Sequence, residues 1–382
     1  MSTELLQRPP DHAALDLAVD FEQEARDRIV LNDPVAFAED YLATAKLQNR
    51  TDVTEETIEA ALHNADVLLP TARIAIRMPL DGFNKMISSD GVYKTVYETG
   101  TTKGLEAAPL KTVETYVNMR RQSEEQLGIK ARPGEPETVY GFLDNLESMD
   151  MVTPGLQYGT VALVLNPAVT NRATFTKGDT MRGPTTSMDL PTATVAKAIN
   201  DIAEVSGNHK VSYVEAQVFG GVSMDDVEKV SLTLDDSQAS HAHEQIEAFI
   251  SGAREDHPDL PITIRLPAGR SVLTSSVNMA AKYPDVQFVY YIDVRDVAEN
   301  KGGSIDTPYS TMMSARHLSS TSGATENFKY KMVSEAEKTH HISQERLKLV
   351  REKLTERWSE TTGQEKLPSN VQVLFTRSKF SR

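Results

Sequence analysis

Near residue 71 the hydrophobic periodicity of this chain changes, and that change limits its possible folds more than any other feature. Before it, apolar residues recur at helical spacing. Asp33 precedes Pro34, a cap residue ahead of a helix-compatible proline, and Val35, Phe37, Ala38, Tyr41, Leu42 and Ala45 follow on one face. Thr54 caps a second stretch with Glu55 and Glu56 in its first turn and Ile58, Ala61 and Leu62 on one side; Leu68-Leu69-Pro70 ends it. After residue 71 the pattern becomes short runs rich in β-branched and aromatic residues, bounded mostly by Gly, Pro, Asp or Asn.

The runs Arg73–Met78, Val92–Glu98, Glu137–Leu143, Tyr158–Leu165 and Ser212–Phe219 read as strands. Helices are expected at Thr112–Gln126 and at Thr192–Val205, where Val195, Ala198, Ile199 and Ile202 share a face. Ser223 to Asp226 reads as the capped start of a short helix. A helix over 238–254 turns Ile246, Phe249 and Ile250 inward, and strands Pro261–Leu266 and Val286–Ile292 flank a helical stretch at Ser275–Lys282. That strand–helix–strand unit belongs either to the same domain or to a small α/β appendage. Residues 301–323, rich in Gly, Ser and Thr, read as a linker, and Leu347, Val350, Leu354 and Trp358 mark an amphipathic helix beyond it. No internal repeat interrupts this order. The expectation is an α+β fold with a mixed antiparallel sheet: a helical N-terminal region (1–70), an α+β domain of catalytic type (71–300), and a linker with a C-terminal helical extension (301–382).

Composition narrows the function. The 382 residues carry 40 Lys and Arg against 55 Asp and Glu, a formal charge of −15, which argues against broad nucleic-acid binding while leaving room for a local basic cleft. There is no cysteine, so disulfides, thiolate metal sites and cysteine nucleophiles are excluded. The first thirty residues lack a basic region followed by an apolar run, and no apolar stretch approaches membrane-spanning length. A cytoplasmic protein with no membrane contact is expected, with export by a non-Sec route left open.

Three segments combine residues suited to chemistry. Ile74 to Pro79 places Arg77 at the end of an apolar strand, able to grip a phosphate through two parallel hydrogen bonds. Tyr93 to Gly104 runs through Tyr97, Thr99, Thr101 and Thr102, whose hydroxyls and turn amides suit an anion or a ribose. Tyr213 to Gly221 alternates so that Tyr213, Glu215 and Gln217 share one strand face. A carboxylate between an aromatic ring and an amide can hold sugar hydroxyls and stabilise a neighbouring oxocarbenium ion. A fourth segment, Arg172 to Thr180, adds Thr174, Thr176 and Asp179. The plain alternatives are a solvated strand face for Glu215 and Gln217, a surface arginine for Arg77, and a simple turn for the threonines. His241 and His243 point apart on a helix, and no metal site is expected; phosphate-loop and GxSxG motifs do not occur.

An arginine on an early strand, a hydroxyl-rich segment and then a Glu-bearing strand resemble, in that order, the ADP-ribosyltransferase superfamily of bacterial toxins. The resemblance implies a sheet core of that type, NAD as substrate, Arg77 on its phosphate and Glu215 as the catalytic glutamate, with Gln217 beside it. Tyr213 stands where the first Glu of a Glu-x-Glu pair would be, which disfavours arginine as the acceptor. Either Thr174-Phe175-Thr176 or Thr99–Thr102 fills the hydroxyl motif, and Tyr93, Tyr97 or Tyr213 lies near the nicotinamide. The phrases YKTVYETGTTKG, TVYGFL, RATFTKGDT and YVEAQVFGG, spread over residues 72–235, are similar to an uncharacterised bacterial family with ETGTSGG-, PVYG-, RTTFT-GDS- and YVEAQVHG-like motifs. The activity so implied is transfer of ADP-ribose to a protein or nucleic-acid acceptor by a toxin or effector. Two alternatives stay open: a non-catalytic interaction protein on an enzyme-like scaffold, and a hydrolase or nuclease using Glu215 with His209 or Asp179.

Overall fold

Helix caps fix the first elements as the sequence leads one to expect. The computed structural model describes residues 12–51, 53–101, 112–130, 136–145, 158–182, 185–205, 214–234, 242–267, 278–293, 315–317, 348 and 351–378. After α1 (His12–Arg28), the Asp33 carboxylate accepts from the Val35 and Ala36 amides and starts α2 (Pro34–Leu47). Thr54 and Thr57 bond reciprocally at the start of α3 (Glu55–Leu68). Ala38, Tyr41 and Ala45 of α2 and Ile58, Ala61 and Ala65 of α3 pack on Val195, Ala198 and Ile199 of a later helix, α7.

The remaining elements, in chain order, are β1 (Ala72–Met78), α4 (Leu80–Ile87), α5 (Val96–Thr99), α6 (Val113–Gln126), β2 (Val139–Asn145), β3 (Val161–Leu165), β4 (Ala173–Lys177), α7 (Leu190–Val205), β5 (Val214–Val218), β6 (Val227–Thr233), α8 (Ala242–Glu255), β7 (Ile262–Pro267), β8 (Gln287–Asp293), β9 (Ala315–His317) and β10 (Val371–Ser378). The strands form one mixed sheet in the order β4-β5-β2-β1-β3-β6-β7-β8-β10-β9. From β4 to β6 every neighbour is antiparallel; β6, β7, β8 and β10 are mutually parallel. Parallel neighbours need crossovers. Helix α8 supplies the one between β6 and β7, and helical residues 278–282 and 351–362 precede β8 and β10.

Register separates the two faces of the sheet cleanly. One carries Ile74, Ile76, Leu163, Phe175, Ala216, Leu232, Ile264 and Phe288, buried together with Phe83 and Met86 of α4, Ala193 and Ala196 of α7, Ile246, Phe249 and Ile250 of α8, and Leu354 and Trp358. This is the core, and its apolar burial is the main favourable term in folding. The other face is polar yet also buried: Thr174, Thr176, Glu215, Gln217, Arg77, Ser231, Thr233, Thr263 and Arg265, with an apolar patch of Ala75, Phe142 and Val164 and with Ala162 and Val289 further along. Buried polar groups cost stability unless hydrogen-bonded, so this face is not the product of core packing alone.

Several expectations change. Val92–Glu98 is not a strand: Val92 makes an isolated bridge to Ser223, and Val96–Thr99 is one helical turn. The Glu98 carboxylate accepts from the Thr95 amide and hydroxyl, and Gly100, at φ +64°, ends the turn; local capping overrides the β propensity of Val and Tyr. The hydroxyl-rich segment Thr174–Thr176 lies in β4, at the end of the strand order beside β5, and β4, β6 and β10 appear where no strand was expected. The helix over 351–362 buries Leu354 and Trp358 in the main core, and β10 pairs with β8, so the end of the presumed extension lies in the sheet. Leu347, Val350 and most of 301–323 fall outside the described residues. Among the described residues no helix is long and apolar enough to cross a membrane.

Candidate functional site

Glu215 stands at the middle of β5 with its side chain on the polar face and is only 2% exposed. Its Oε1 accepts hydrogen bonds from Thr180 Oγ1 at 2.6 Å, Arg120 Nη1 at 3.2 Å and Gln217 Nε2 at 3.3 Å. The β4–β5 register places Thr176 opposite Glu215 and Thr174 opposite Gln217. Gln217 uses that register fully: its Oε1 accepts from the Thr174 hydroxyl and its Nε2 donates to Thr176 Oγ1, each at 3.1 Å. A carboxylate, an amide and two hydroxyls thus form one bonded ladder across two strands.

Arg120 enters from α6. Thr112 caps that helix by accepting from the Thr115 amide, and the guanidinium lies 3.8 Å from the centre of the Tyr140 ring while Nη1 also donates to Thr180 at 2.9 Å. One turn further, the buried Glu124 accepts from the hydroxyls of Tyr97 (3.0 Å) and Tyr140 (2.9 Å) and from Arg121 (2.9 Å). Arg121 also bonds Glu137 and covers the Tyr97 ring at 3.6 Å. The network therefore joins the Tyr97 segment, α6, β2, β4 and β5.

Electrostatics follow from burial. Desolvation raises the Glu215 carboxyl above its usual range, opposed by the Arg120 charge and the Thr180 bond, with nearby Asp179 pushing upward again. Burial is the largest influence on Arg120 and disfavours its charge, but Glu215, Tyr140 and Tyr116 together more than offset it, so the guanidinium stays firmly charged. Burial pushes the Tyr93 phenol up to about 12 and raises the Tyr97 and Tyr140 phenols well above the ordinary phenol range, so all three are neutral hydrogen-bonding groups.

Arg77 lies on the same face as Glu215, two strands away through β2 and two residues further along, which puts their backbones about 12 Å apart. It is not a surface arginine at a strand end: it is 6% exposed, and Nη1 donates to the Gly159 and Thr160 carbonyls at 3.3 Å. Nor is it the arginine that touches Glu215; that role belongs to Arg120, which the sequence reading missed. The available signal was the spacing of Tyr116, Arg120 and Glu124, a polar stripe along one side of α6. Glu215 and Gln217 are likewise not on a solvated strand face.

Of the two hydroxyl candidates, Thr174 and Thr176 flank the carboxylate. Thr99 and Thr101 are exposed and bond locally, Thr99 Oγ1 donating to the Thr95 carbonyl. Thr102, Tyr213 and His209 fall outside the described residues. Asp179 accepts from the Met181 amide and acts on Glu215 through its charge. Among the described residues no group of three or more His, Cys, Asp or Glu side chains is placed to hold a metal.

No known relative decides between readings. The chain matches no protein-family model, no curated protein and no solved structure. What the arrangement can do chemically rests on its own residues: hold a carboxylate in a fixed orientation, present hydroxyls beside it, and place cationic groups on the same face for an anionic ligand.

Proposed function

We propose that this chain is an NAD-dependent ADP-ribosyltransferase-like enzyme that transfers ADP-ribose from NAD to a protein or nucleic-acid acceptor, with Glu215 as its reactive carboxylate. One observation carries the reading: Arg77, Glu215, Gln217, Thr174 and Thr176 share one buried polar face, in register across adjoining strands. In this mechanism Arg77 holds a phosphate of NAD. Gln217 and the two threonines orient Glu215, and Arg120 favours its ionised form. Glu215 accepts a hydrogen bond from the ribose hydroxyl and stabilises positive charge at the ribose C1′ as the bond to nicotinamide breaks. Nicotinamide leaves with the bonding electron pair, and the acceptor nucleophile attacks C1′ and releases its proton.

The test is nicotinamide release from NAD by the full-length chain, wild type against Glu215→Gln. The reading expects release that the substitution removes. A second reading is favoured by the 2% exposure of Glu215: the ladder is a structural brace in a non-catalytic interaction protein. It expects no NAD binding by calorimetry, and loss of thermal stability as the only effect of Glu215→Gln.

A further inference from the structure

The polar face continues past Arg77 into the parallel half of the sheet. There the register sets Arg77 on β1 beside Ala162 on β3, Ala162 beside Ser231 on β6, and Thr233 on β6 beside Arg265 on β7. Two arginines therefore lie on one face of the sheet, three strands apart, with a row of small side chains between them. All are enclosed: Arg265 is 0% exposed, Ser231 1% and Thr233 4%.

The hydrogen bonding around this row is incomplete. Arg77 Nε and Nη2, Ser231 Oγ and Thr233 Oγ1 are buried and have no hydrogen-bond partner among the described residues. Neighbouring Arg73, on the same strand and face, is paired with Glu228; Arg77 bonds only the Gly159 and Thr160 carbonyls through Nη1. Burial, and after it the like charge of Arg265, disfavour the protonated Arg77 guanidinium. A buried cation and hydroxyls without partners call for an explanation, and a bound ion or ligand that completes them is one. The chemistry that fits is an oxyanion, which accepts from a guanidinium edge and two hydroxyls at once and offsets the Arg77 charge.

We propose that Arg77, Ser231 and Thr233, with Arg265 across from them, form a binding subsite for a phosphoryl group. Because Arg77 is also the residue that holds a phosphate of NAD in the proposed function, the subsite deepens that reading, yet binding of a free phosphate needs neither Glu215 nor a dinucleotide and can be tested without them.

Inorganic phosphate is the probe, titrated into the full chain at constant ionic strength and followed by calorimetry and by the thermal midpoint. Wild type is expected to bind and to gain stability with phosphate concentration. Thr233→Val and Ser231→Ala remove unpartnered hydroxyls, so both fold at least as well as wild type and weaken binding roughly 2- to 10-fold. Arg77→Gln weakens it by about tenfold or more. Glu215→Gln leaves phosphate binding intact even if it abolishes nicotinamide release. No saturable phosphate binding by wild type, or equal binding by wild type, Thr233→Val and Ser231→Ala, overturns the proposal.

Discussion

Arg120 on α6 and Glu215 on β5 meet at 3.2 Å with both side chains buried, 95 residues apart in the chain. Neither charge is tolerable there alone. Desolvating an ion costs several kcal/mol, and the pair is held because each satisfies the other while Thr180, Gln217 and the Tyr140 ring add further contacts. A charge pair of this kind fixes position more than it adds stability, as the role proposed for Glu215 would require.

Breaking the pair from one side leaves the partner's charge buried. Arg120→Met is expected to destabilise the chain by about 3–5 kcal/mol in urea unfolding. The double variant Arg120→Met with Glu215→Gln should lose clearly less than the sum of the two single changes. Additive losses would show that the two side chains are not energetically coupled.

Thr180 offers a gentler test. Its hydroxyl gives Glu215 the shortest bond in the shell, 2.6 Å. Thr180→Val keeps the shape, removes that bond, and should cost roughly 1.5–3 kcal/mol. It also removes one of the influences that lower the Glu215 carboxyl, so any activity that needs the carboxylate should shift its acidic limb to higher pH.

The pH dependence of stability has a definite sign. Glu215 in the folded protein lies above its ordinary 4.5, raised first by burial, while the unfolded chain titrates near that ordinary value. Between the two, the native state keeps a proton that the unfolded state has released, so stability falls as pH rises. Its contribution is fully present below pH 4.5 and is lost as pH rises through the folded value. Glu215→Gln cannot titrate. The stability difference, wild type minus Glu215→Gln, should therefore decline with pH above about 4.5, and a rising difference contradicts the assignment.

Gly220 tests the seat of α1. It sits at φ +77°, and a Cβ there would lie 2.5 Å from the Phe21 ring. Gly220→Ala is expected to lower stability by about 1–3 kcal/mol, read by thermal unfolding, through left-handed backbone strain and displacement of Phe21. An unchanged midpoint would mean that α1 does not pack where described.

The sequence made much of this visible, for identifiable reasons. Strong caps at Asp33 and Thr54 placed two helix starts, and the Tyr213-Glu215-Gln217 alternation correctly put Glu215 and Gln217 on one face. Two features escaped. Alternation says which side chains share a face but not whether that face meets water, so the burial of Glu215, Gln217 and Arg77 came only from the sheet's cover. Arg120 was hidden because a helical arginine among Glu and Gln resembles an exposed one; its partner is set by tertiary packing. The Val92–Glu98 error had a local cause, a Thr95–Glu98 cap inside a β-like composition.

The most direct measurement of the central claim is nicotinamide release from NAD, with and without a mixture of candidate acceptors, by wild type and by Glu215→Gln at matched folding. The account predicts release by wild type and a fall of at least about 100-fold in the variant, the scale for removing one transition-state electrostatic partner. Equal rates in the two proteins, or none above background from a folded wild type that also fails to bind NAD, would contradict it.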